Sequence, residues 1–74
     1  MTTSLDERVR ELTEKTQELV LRACDLCVQA GPEWDAGRYA VFAGRMREVA
    51  ATYRRVADLF DQIAHACDRA TGPS

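Results

Sequence analysis

Aromatic residues make up only 7% of this 74-residue chain, and it holds just two prolines and four glycines. So few turn formers and so few aromatics exclude an ordinary sheet protein. No apolar run approaches the ~20 residues needed to cross a bilayer, so no membrane partner is expected. The opening MTTSLDERVR has neither the apolar core nor the cleavage site of a secretory signal. Charge of neither sign dominates: the net charge is -2 and the pI about 5.3, which argues against a nucleic-acid partner. Cysteines number three, an odd count with no export signal. They read as reduced thiols of a cytoplasmic protein, not as a disulfide framework.

What the chain does have is 46% hydrophobic and 30% charged residues, the mixture of amphipathic helices. Ser4 and Glu7 form a capping box that starts the first helix. Leucine then recurs every seventh residue at Leu5, Leu12, Leu19 and Leu26. Val9, Thr16, Ala23 and Ala30 occupy the complementary heptad positions. Glu11 with Lys15 and Glu18 with Arg22 are carboxylate-first pairs on the outside. Gly31 and Pro32 predict the end of this helix. In the second helix Tyr39, Phe42, Met46, Val49, Tyr53, Val56, Phe60, Ile63, Cys67 and Ala70 keep four-three spacing. A stripe of alanines flanks them at Ala36, Ala43, Ala50, Ala57 and Ala64. Small residues there let another helix come close.

The fold class is therefore all-α: one domain over residues 1–74, an antiparallel hairpin of two long helices with heptad seams. The expected bounds are about 4–30 for helix one, 31–35 for the turn and 35–70 for helix two. With those bounds helix two overhangs, and Ile63, Cys67 and Ala70 lack a partner within the hairpin. Toward the turn, Val20, Leu21, Cys24, Cys27 and Val28 make helix one apolar nearly all round, as Ala40 and Val41 do helix two. A helix apolar on every side must be buried on every side. Two hairpins packed antiparallel, the overhang of one against the apolar turn end of the other, would do this as a four-helix bundle, with Val20, Leu21, Val28, Val41, Phe60, Ile63 and Cys67 in the interface. A different protein docking at the apolar turn end is the alternative partner.

Sites of chemistry are thin. Cys24-x-x-Cys27 could chelate, but His65 and Cys67 point ~200° apart on a helix, so no metal and no cofactor is expected. The CxxC also lacks the strand-to-helix setting of a redox motif, and His65 has no triad companions, so no catalytic residue is expected. Arg38, Arg45, Arg47, Arg54 and Arg55 make the middle of helix two basic. Arg47, Arg54 and Arg55 are the candidates for an anionic ligand; without one, the arginines are expected to pair with Glu11, Glu18 and Asp25 of helix one or of a partner copy. The leading reading is a non-enzymatic interaction module, a small regulator, adaptor or assembly factor acting as a homodimer. A ligand- or metal-binding bundle using those arginines or the cysteines is second.

Trp34, in the turn sequence GPEWDAG, is similar to the tryptophan between the helices of WXG-type secreted hairpins. Here Trp34 lies three residues before Gly37 where that motif has two, and no tyrosine-then-acid signal follows the second helix. The likeness implies a secreted hairpin as a third reading. Scattered arginines on a helix also resemble the small helical chorismate mutases. Those need inward-facing cations and a third helix, and this seam is apolar apart from Thr16 and the tyrosine hydroxyls.

Overall fold

The structure is a computed structural model that describes residues 4–72. Two α-helices make up the described chain, α1 (Leu5–Asp35) and α2 (Tyr39–Thr71), packed on one another as a hairpin. Ser4 is extended at φ -65° and ψ 156°, and its Oγ accepts the Glu7 N–H at 3.2 Å. One of the four free donors of the first turn is thereby satisfied, and Asp6 and Glu7 favour the positive end of the helix dipole.

The turn is not at residues 31–35. α1 runs through Gly31 and Pro32 to Asp35, and the chain reverses over Ala36, Gly37 and Arg38. Proline has no N–H to give the carbonyl four residues back, so one rung of the ladder is lost at Pro32. Three terminal bonds offset it. Ala36 N–H donates to the Pro32 carbonyl at 3.0 Å, Gly37 N–H to Trp34 at 3.0 Å and Arg38 N–H to Glu33 at 2.9 Å. The last two bonds are a Schellman cap, with Gly37 at φ +74° in the left-handed position that glycine fills at least cost. Such a cap commonly closes with an apolar contact; here Arg38 Nε instead meets Glu33 Oε2 at 2.7 Å.

This later turn removes the overhang. The helices span 31 and 33 residues, so residues whose numbers sum to about 75 lie level across the hairpin. Arg8, for example, shares a groove with Ala66 and Arg69. Ile63 and Cys67 are half-buried within the hairpin itself, not stranded beyond it.

α1 presents the seam its leucines predict: Leu12, Thr16, Ala23, Leu26 and Ala30 are buried, and Val9 and Leu19 half-buried. α2 is turned from its expected seam. The row facing α1 is Phe42, Arg45, Val49, Thr52, Val56, Leu59, Ile63 and Ala66, all buried or half-buried. Met46, Tyr53, Phe60 and Cys67 lie one residue further round, and Tyr53 and Phe60 stay exposed. At about 100° per residue, trading one flank for the other turns the seam centre by ~50°. Packing explains the choice: α1 offers Thr16, Ala23 and Ala30, small residues that favour close approach by Val49, Thr52 and Val56. Tyr53 and Phe60 in that place would wedge the helices apart and bury a hydroxyl. The two buried hydroxyls are satisfied locally, Thr16 Oγ1 donating to the Leu12 carbonyl at 2.8 Å and Thr52 Oγ1 to Glu48 at 2.9 Å.

The result is a slab of 55 × 20 × 15 Å, a single layer of helices. Leu12 is its only large side chain that is almost wholly buried among the described residues.

Candidate functional site

The two broad sides of the slab differ in chemistry. One is polar: Lys15, Glu18, Arg55, Asp58 and Gln62 line a groove over Leu19 and Leu59, and Arg8, His65 and Arg69 line another nearer the open end. The groove on the other side is lined by Thr13, Thr16, Gln17, Val20, Leu21 and Phe60. It belongs to a larger uncharged face. On α1, helical geometry puts Thr13, Gln17, Val20, Cys24, Cys27 and Gly31 on this side, with Leu21 and Val28 at its outer edge. On α2 it holds Met46, Tyr53 and Phe60 with the alanines Ala43, Ala50, Ala57 and Ala64 beside them. No charged residue interrupts this face from Thr13 to Trp34 or from Tyr39 to Phe60, in a chain that is 30% charged.

The face is also wet. Leu21, Val28, Trp34, Tyr39, Tyr53 and Phe60 are between 46 and 76% exposed. At the turn end Trp34 packs against Tyr39 and Phe42, with ring centroids 5.0 and 5.1 Å apart, so its edge is a rigid aromatic ridge. Scattered exposed apolar residues are ordinary, but a contiguous uncharged patch running about two thirds of the length of both helices is not.

Of the interface residues read from the sequence, Val20 and Phe60 lie on this face and Leu21 and Val28 on its edge. Ile63 belongs to the row between the helices, with Cys67 beside it, and Val41, 45% exposed, lies on the flank of Leu59. Sequence reasoning placed Tyr39, Met46 and Tyr53 between the helices and so missed them as surface. The absence of charge along one flank of both helices is the signal that finds them.

The arginines do not converge. Arg55 opens onto the polar groove beside Lys15 and Asp58, while Arg47 and Arg54, seven residues apart, project from the back of α2. Within the hairpin they do not pair with Glu11, Glu18 or Asp25. The ion pairs among the described residues are Arg8–Glu11 at 3.8 Å, Arg45–Glu48 at 3.9 Å and Glu33–Arg38 at the turn. Side chains this long cost entropy to fix, and exposed pairs return little. Arg45 is the exception in placement: it sits in the row facing α1, where its Nε is buried without a partner.

Cys24 and Cys27 are exposed free thiols on the uncharged face, and Cys67 lies toward the opposite end of the hairpin. No group of three or more metal-ligating side chains is gathered among the described residues. None of the helices described is long and apolar enough to cross a membrane. No protein-family model, no curated protein and no solved structure matches this chain.

Proposed function

We propose that this hairpin is half of a four-helix bundle: a non-enzymatic interaction module that works as a homodimer joined through its uncharged face. The uncharged face carries the reading. A domain needs two layers to enclose a core, and this chain supplies one. Its accessible surface is 5763 Å², against about 4,600 Å² for a compact monomer of its mass. The excess of about 1,200 Å² exceeds the roughly 800 Å² per partner of a standard interface. The turned seam of α2 supports the same arrangement. In a two-stranded coil the heptad seam points at the one neighbour; in a four-helix bundle it points at the bundle axis, about 45° off each adjacent helix. The ~50° turn of α2 fits the second case, while α1 keeps its seam toward α2. A regulator, adaptor or assembly factor is the class of work such a module does.

Sedimentation at micromolar concentration tests this, and a dimer mass is the expected result. Phe60→Asp forces a charge into the proposed interface without touching the row between the helices. It should weaken the dimer at least ~100-fold, or about 2.7 kcal/mol, while the helical content remains. Glu14→Ala, off the face, should leave the mass unchanged. A folded monomer for the unaltered chain would overturn the dimer and leave the face to a different protein.

A further inference from the structure

We infer that the second copy seats antiparallel on the uncharged face, with the two-fold axis crossing α1 at Cys24, so that the two Cys24 thiols meet across the interface. This rests on the dimer reading and adds its geometry. The uncharged stretch runs from Thr13 to Trp34 on α1, and its midpoint falls at Ala23 and Cys24; Ala23 is buried against α2 and Cys24 is exposed. On α2 it runs from Tyr39 to Phe60, with its midpoint at Val49 and Ala50, and Ala50 is the exposed one. A two-fold axis through those midpoints superposes the uncharged stretches of both copies and leaves the charged open ends outside the overlap. The residues at both crossings are small, which permits close approach.

Charge separates this seating from the other symmetric one. With the axis along the helices, all turns lie at one end and α1 covers α2 of the second copy at the same level. Asp6 then confronts Asp68 of the second copy, twice. In the antiparallel seating α1 covers α1. Asp35 comes within an arginine's reach of Arg10 of the second copy, again twice, and neither residue has an ion pair with a described residue of its own hairpin. Helix axes ~9 Å apart, each with Cα atoms on a ~2.3 Å radius, leave facing Cα atoms about 4.4 Å apart. That is at the near end of the range a disulfide spans.

The experiment uses three variants that each keep one cysteine, made by replacing the other two with serine, together with the unaltered chain. Diamide is the oxidant: each Cys24 thiol gives up a proton and an electron, the sulfurs join, and the azo bond is reduced to the hydrazine. Sedimentation of the reduced proteins is run in parallel. The Cys24-only chain should form covalent dimer on non-reducing gels at least ~10-fold faster than the Cys27-only and Cys67-only chains. Sedimentation showing a dimer whose Cys24-only form links no faster than the others would overturn this seating and leave the dimer standing. A monomer in sedimentation would overturn both.

Discussion

Gly37 holds φ +74°, a backbone conformation that costs an L side chain ~1–2 kcal/mol. An added Cβ would meet open space, with no atom within 4 Å, so the whole effect of Gly37→Ala is this backbone cost. Chemical denaturation should read a loss of about 1 kcal/mol with the helical content retained. Leu12 tests the opposite kind of site. It is 2% exposed at the first buried position of the α1 seam, and Leu12→Ala should cost ~2–5 kcal/mol through lost burial and the cavity left behind. A small domain has little stability in reserve, so that variant should be largely unfolded by circular dichroism at 37 °C. Phe60 is as apolar as Leu12 but 57% exposed, and its replacement should read out in mass instead.

At the scale of the element, α1 shows how far a sequence can be read. Its start at Ser4 and its buried seam from Leu12 to Ala30 follow from the capping pair and from period alone. Its end does not. Gly31 with Pro32 has the form of a helix stop, yet the four-three spacing carries on from Ala30 to Glu33, half-buried, and Gly37 supplies a better cap. Two local signals competed, and the one offering three terminal hydrogen bonds won. Pro32→Ala restores the missing donor without disturbing that cap, and thermal denaturation should show a gain of about 1–2 kcal/mol. A loss would mean the proline has a favourable role in the turn. α2 was legible in period but not in rotation. Spacing fixes which residues share a stripe, while only packing against Ala23 and Ala30 decides which edge of that stripe faces inward. The uncharged face was hidden for the same reason, because Tyr53 and Phe60 read equally well as core.

At the scale of the whole molecule, the proposed dimer, by completing the core, would tie stability to concentration. Raising the protein a hundredfold should raise the melting temperature by several degrees, through ~2.7 kcal/mol of mass action. A melting temperature independent of concentration would place the stability in the single hairpin. The slab's shape has a further consequence, for hydrodynamics. Its radius of gyration is 17.0 Å, where a compact chain of 74 residues would have about 11 Å, and a compact chain matching it would need about 220 residues. A hairpin 55 Å long tumbles and migrates like a sphere heavier than itself. A sizing column calibrated with globular standards will therefore overstate the mass of one copy. Light scattering or sedimentation equilibrium, which weigh the particle without assuming its shape, will give the true count.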